Sequence, residues 1–292
     1  MHTDLSRRQF ARLAASSLAA ASASAQVSAA PVSARQIVDR IKANVGVPWR
    51  AQTVDTFKSG DPDTPVKGIV TTFMADLSLL QKAAASGKNF VISHEPTFWS
   101  HLDTTTALEQ DPIYRFKQDF IRKNNMIVWR FHDHLHARKP DAVFAGFTRM
   151  LGWQQYEMAD TPTSFKIPPR RFADLAREVQ TKLKTRSMRV IGDPEMMVSK
   201  IGRGSHDLGN HIRNFQRFDV LISGEVREWD TVEYVRDLVL SGQKKGLLLI
   251  AHERWEEHGM KECADWLRTF ISEVPIEFVP SGEPFWIPGV SI

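Results

Sequence analysis

The sequence predicts an α/β protein built in two halves, and three observations carry that reading. Short runs rich in Val, Ile and Phe alternate with segments of helical spacing along most of the chain. A polar, proline-bearing stretch at 153–169 interrupts the alternation near its middle. Several apolar runs end in histidines and carboxylates, as expected where strands deliver ligands at their carboxyl ends.

The first half opens with helical spacing over 36–44, where Ile37, Ile41 and Val45 share a face. Residues 67–74 read as a strand. Asp76 is placed to cap a helix reaching Ser86, with Gly87 as its stop. A strand at 89–93 follows. Asp111 and Pro112 then form the cap and first position of a helix to Asn124. A strand at 126–131 and a helix at 140–151 complete this half.

The second half reads as a helix at 170–184, strands at 188–191 and 196–201, and a short helix at 207–215. A strand at 219–223, a helix at 228–240, a strand at 246–251, a long amphipathic helix at 254–272 and a strand at 276–279 follow. The implied organisation is a leader at 1–25, a linker at 26–34, lobes at 35–152 and 170–292, and a connecting segment at 153–169.

The leader is read from Ser6-Arg7-Arg8-Gln9-Phe10, an Ala/Leu/Ser-rich run, and Ala23-Ser24-Ala25. The Arg7-Arg8 pair with a small-residue cleavage site is the pattern of a twin-arginine export signal. The expectation is transfer by the twin-arginine export machinery and a periplasmic or secreted location, with no membrane span after cleavage. The chain carries a net charge of +4. Removing Arg7, Arg8, Arg12 and Asp4 leaves it close to neutral, which argues against a nucleic-acid surface. A single cysteine, Cys263, excludes an intrachain disulfide.

The chemistry gathers at strand ends. The strand at 89–93 runs into His94-Glu95, with Pro96 to stop it. The strand at 126–131 runs into His132-Asp133-His134-Leu135-His136, whose imidazoles would share a face if the chain stayed extended and diverge if it turned. The strand at 219–223 runs into Glu225, and the strand at 246–251 into His252, four residues before Glu256. Imidazole and carboxylate together suit zinc, iron or manganese; two carboxylates with several imidazoles could hold a pair of ions. Gly202-Arg203-Gly204-Ser205 offers a weaker anion-nest reading at a helix start. No Gly-x-Ser-x-Gly elbow is present.

These stretches resemble the NGG-interacting-factor-3-like family of dinuclear metal-centre proteins. Gly68 to Phe73, the following helix and Ala85 to Trp99 are similar to its hallmark, where the strand ends in His-His-Pro. Phe131 to His136 resembles a His-Thr-x-Leu-Asp segment, Ile222 to Glu225 with Asp230 a Gly-Glu segment, and Ala251 to Glu256 a Gly-His-x-x-x-Glu motif. The matches fall in family order from about Arg35 onward.

The resemblance implies two similar α/β lobes with mixed sheets flanked by helices and a metal site between them. It also implies ligands at His94, Glu95, His136, His252 and Glu256, with His132 nearby, and a homo-oligomer, commonly a hexamer. Glu95 stands where the family has a second histidine, and His136 where it has an aspartate, so the count of carboxylates is kept. The function expected is a metal-dependent hydrolase acting on a small anionic, phosphoester-like substrate, with Glu225 or His132 moving the proton. The alternative is a non-catalytic metal-binding or scaffold protein.

Overall fold

The computed structural model describes residues 31–289. The leader reading, with Arg7 and Arg8, lies outside these residues. Helix α1 (Ala34–Asn44) starts at Ser33, whose hydroxyl accepts from the Gln36 amide while the Gln36 side chain accepts from the Ser33 amide. This reciprocal cap satisfies two donors that a helix start leaves free. Strand β1 (Phe57–Ser59) precedes β2 (Ile69–Met74), α2 (Leu77–Ala85) and β3 (Phe90–Glu95). Asp76 caps α2 as expected, accepting from the Leu79 amide. Helix α3 (Pro112–Lys123) carries the Asp111 cap and the Pro112 start read from the sequence.

Then come β4 (Ile127–Arg130), the short helix α4 (Asp133–Ala137) and α5 (Ala142–Leu151). The remainder comprises β5 (Glu157–Met158), β6 (Thr161–Arg171), α6 (Phe172–Leu183), β7 (Arg189–Ile191) and β8 (Met197–Arg203). Helix α7 (Leu208–Phe215), β9 (Val220–Ser223), a π turn at 228–232, α8 (Glu233–Leu240), β10 (Gly246–Leu249), α9 (His252–Leu267) and β11 (Ile276–Phe278) follow.

Two mixed sheets result. One has the order β1-β4-β3-β2-β11, the other β5-β6-β8-β9-β10-β7. Strands β4, β3, β2 and β11 run parallel in the first, and β8, β9 and β10 in the second. The parallel centres are covered by helices, and one apolar core joins both sheets, from Ile69, Phe90 and Trp129 to Phe172, Val220 and Leu248. Full burial of such a side chain contributes about 1.5–3 kcal/mol. Phe90, Val91 and Ile92 therefore anchor β3 firmly enough to carry a polar pair at its end.

The short strands β1 and β5 are absent from the sequence reading, and two larger segments differ from it. Residues 161–171, expected within a connecting segment and the start of a helix, form β6. Phe165 and Ile167 are buried from it, and its ladder with β8 is irregular between Lys166 and Arg170, around Pro168 and Pro169. Prolines cannot donate to a ladder, so they read as a break although an irregular strand tolerates them. Strand β11, distant in sequence, pairs in parallel with β2 of the first sheet.

Helix α9 crosses α5 at close range. A Cβ on Gly146 would meet the His258 backbone at 2.5 Å, and one on Gly259 would collide with Val143. The two glycines let the helix backbones touch, which fixes where the first turns of α9 project.

A candidate metal centre between the two sheets

The parallel strands of each sheet end at a common edge, and the residues following those ends converge. From the first sheet come His94 and Glu95, the last residues of β3, and His132 and His136 after β4. From the second come His206 after β8, Glu225 after β9, and His252 and Glu256 on the first two turns of α9.

The His132–His136 run turns into α4 rather than staying extended. Its imidazoles therefore separate: His132 and His136 lie four apart on the face toward His94, with ring centroids 4.6 and 4.9 Å from that of His94. His134 points the other way. Its Nδ1 lies 2.7 Å from Asp55 Oδ2, its Nε2 accepts from the Arg50 amide at 3.0 Å, and it stacks on Trp49 at 3.7 Å. Asp55 also accepts from the amides of His132, Asp133 and His134 at 2.7, 2.9 and 2.9 Å. One buried carboxylate thus caps the start of α4 and sets the direction of both inward imidazoles.

Three groups of side chains have donor atoms all within 4.8 Å of one another: His94 with His132 and His136; His206 with His252 and Glu256; and His94 with Glu95 and Glu256. The third group joins the other two. The sequence reading brought His94, Glu95, His132, His136, His252 and Glu256 to this place and left out His206. The available signal was weaker: His206 stands three residues after a strand, Met197–Arg203, that mixes apolar and charged residues.

The second ring nitrogens show why the first ones are free. His94 Nδ1 faces the Phe131 carbonyl at 3.2 Å, His132 Nδ1 faces Asp133 at 3.0 Å, and His136 Nδ1 faces Asp141 at 3.0 Å. His252 Nδ1 lies 3.5 Å from Glu225. Each acceptor can hold a proton on Nδ1, so that the neutral imidazole would turn a free Nε2 to the centre, the arrangement found around metal-ligating histidines. Among the described residues, the buried atoms His94 Nε2, His252 Nε2 and Glu256 Oε2 have no hydrogen-bond partner. Both nitrogens nevertheless lie 3.2 Å from that oxygen. Buried, unpartnered donor atoms of this kind fit a cation.

Without an ion, the same atoms pair as imidazolium and carboxylate, and an entering cation would take the place of the shared protons. Burial works against a charge on His252, yet the carboxylates of Glu225 and Glu256 raise its pKa to about 10. Burial likewise opposes charge on His94, and Glu256 and Glu95 still raise it. Glu256 is held well below the usual carboxylate range: burial pushes it up, but the two imidazoles outweigh that. His132 is pushed down to about 3 by burial and the neighbouring imidazoles. Glu225 is lowered by its contact with His252, against burial. Glu95 is oriented by Arg130, whose Nη2 lies 3.1 Å away and whose Nε donates to the His94 carbonyl at 2.9 Å.

The anion-nest reading of 202–205 is not supported. The Gly204 amide donates to the Ile222 carbonyl at 2.7 Å and the Ser205 amide to His211 Nε2 at 3.1 Å, so these donors are engaged. Cys263 is buried in α9, its thiol pushed up to about 12 by that burial.

An α/β protein with a histidine–carboxylate centre between two mixed sheets is the class these features define. The chain belongs to the DUF34/NIF3 (NGG1p interacting factor 3) family, whose model matches residues 29–284. Among solved structures it is similar to the Staphylococcus aureus hypothetical protein SA1388, with a TM-score of 0.68 and 16% identity over 88% of this chain and 99% of that one. It is also similar to a Bacillus cereus protein related to NIF3 (TM-score 0.68, 11% identity, 89% and 99% covered). Protein ybgI is a further match (TM-score 0.64, 20% identity, 87% and 100% covered). At these identities the likeness is one of fold. No curated protein matches the chain in sequence.

Proposed function

We propose that this protein is a dinuclear metal-dependent hydrolase acting on a small anionic, phosphoester-like substrate, exported to the periplasm by the twin-arginine route. The observation that carries the reading is the buried convergence of His94 Nε2, His252 Nε2 and Glu256 Oε2 without hydrogen bonds. His94, His132 and His136 would hold one divalent ion, zinc, iron or manganese, and His206, His252 and Glu256 the other, with Glu95 between them. Bound there, two such ions supply Lewis acidity and positive charge toward the oxygens of an ester.

The chain's own residues do the rest. Two divalent ions carry more positive charge than Glu95 and Glu256 return, so the centre favours an anion. Glu225 is ionised and partly exposed at the mouth, where it can accept a proton. His132, expected one shell out, stands within the three-imidazole group and so joins the ligands in this reading. The centre opens on a cavity of about 1220 Å³, which favours turnover over the storage or scaffold alternative. Export rests on Arg7-Arg8 and the cleavage pattern, and a homo-oligomer on the family resemblance.

The test is elemental mass spectrometry on protein purified without added metal or chelator, beside Glu95→Ala and His252→Ala, followed by phosphoester hydrolysis before and after chelation. Metal lost in both variants, with hydrolysis lost on chelation, supports the reading. Hydrolysis that survives complete metal removal defeats it. Light scattering and a reporter fused to residues 1–30 test assembly and export.

A further inference from the structure

The open cavity above the centre has a volume of about 1220 Å³, beyond the roughly 300–1,000 Å³ usual for small-molecule pockets. A bare phosphate or a small alkyl ester would leave most of it to water. Its lining includes Glu95, His132, His206 and His252 of the centre together with the aromatic residues Trp99 and Phe285. These two rings are 51% and 60% exposed.

Trp99 is held in an unusual way. Its φ is 60°, in the left-handed region, which for a bulky residue costs on the order of 1–3 kcal/mol and persists only where neighbours impose it. Here they do. The buried Lys117 ammonium donates to the Thr97 carbonyl at 2.6 Å, and the Phe98 amide donates to Asp103 at 2.7 Å. Arg130, which also orients Glu95, donates to the His101 carbonyl. Lys117 lies 5.3 Å from the Trp99 ring centroid. The indole is thus presented to solvent from a tethered loop that lines the same cavity as Glu95, His132, His206 and His252.

We infer that the centre takes anionic esters of an aromatic alcohol, with the planar ring against the Trp99 indole and the anionic group on the histidine–carboxylate set. The inference rests on the anion-binding centre proposed above and adds the class of group the anion carries. Stacking on a fixed ring gives affinity with little ordering cost, because the loop is already set.

The test uses the full chain loaded with zinc and two probes that are not hydrolysed, phenylphosphonate and methylphosphonate, titrated by calorimetry. The expected preference for the phenyl probe is about tenfold. Trp99→Ala should reduce it to about twofold with zinc content unchanged, and Trp99→Phe should restore most of it. Equal affinities in the wild type overturn the aromatic subsite and leave the anion-binding centre standing; binding of neither probe overturns both. If the rim instead docks a second copy, the affinities are equal and Trp99→Ala lowers the mass seen by light scattering, which also overturns the subsite.

Discussion

The Nε2 atom of His94 and the Oε2 atom of Glu256 lie 3.2 Å apart, although one ends a strand of the first sheet and the other sits on a helix that follows the second. Both atoms are buried and neither has a hydrogen-bond partner among the described residues. Leaving two such groups unsatisfied is costly, and a shared cation offsets the cost. Glu256→Gln keeps the shape and removes the charge. It is expected to weaken metal binding by about 10- to 100-fold or more, the scale seen even for losses of outer-shell partners. Competition with a chromophoric chelator measures this; unchanged affinity would remove Glu256 from the ligand set.

Metal binding should depend on pH with a defined sign. Without an ion, the His252 imidazole keeps its proton up to about 10: burial opposes this, and Glu225 and Glu256 outweigh it. A ligating imidazole must be neutral, so below that value an entering ion displaces the proton. Apparent affinity should therefore rise by about tenfold for each pH unit, and binding should release at least one proton. Calorimetry in buffers of different ionisation enthalpy reads the proton directly. A heat independent of buffer would mean that His252 does not lose a proton to the ion.

Asp55 acts on the centre without touching it. Its carboxylate accepts from the amides of His132, Asp133 and His134 and faces His134 Nδ1. Asp55→Ala should destabilise the fold by roughly 3 kcal/mol, as expected for buried, charge-assisted hydrogen bonds. Because His132 and His136 ride on the same helix, metal content should fall as well. Stability lost with metal affinity intact, measured well below the unfolding transition, would confine Asp55 to a structural role.

His206 was the residue that motif reading passed over, and it gives a direct test. Its Nδ1 lies 3.6 Å from Glu225, and its donor atoms group with His252 and Glu256. His206→Ala should remove about one of two metal equivalents and leave the His94 group loaded. Loss of both ions, or of neither, would contradict separate positions for the two groups.

The difference between the residues that could be read and those that could not is physical. His94, Glu95, His252 and Glu256 follow continuous apolar runs, and such runs end at the mouth of a sheet wherever the fold places them. Asp111-Pro112 and Asp76 announce helices because caps act within a few residues. What stayed hidden depends on contacts far along the chain. The turn of His132–His136 into a helix is stabilised by Asp55, and β11 finds β2 across the whole molecule. Strand β6 is masked by its own prolines. His206 follows a strand as the others do, but the glycines before it suggested a phosphate loop, whereas the Gly204 amide serves the ladder and the Ser205 amide serves His211.

His258, on the far side of α9's first turns, predicts an acid-sensitive stability. Its Nε2 is buried with no partner among the described residues, and burial with Arg254 and Lys261 nearby pushes its pKa down to about 4. In the unfolded chain the value is about 6.5. Between these values the unfolded state binds the extra proton, so stability is complete above about pH 6.5 and falls as pH drops toward 4. Allowing for partial solvent screening, the loss is ~2 kcal/mol. Urea unfolding of metal-stripped protein at neutral pH and near pH 4.5 should show the wild type losing more than His258→Gln by about that amount. Equal losses would mean that the native protein protonates His258 as readily as the unfolded chain does, and that the acid sensitivity arises at the metal ligands instead.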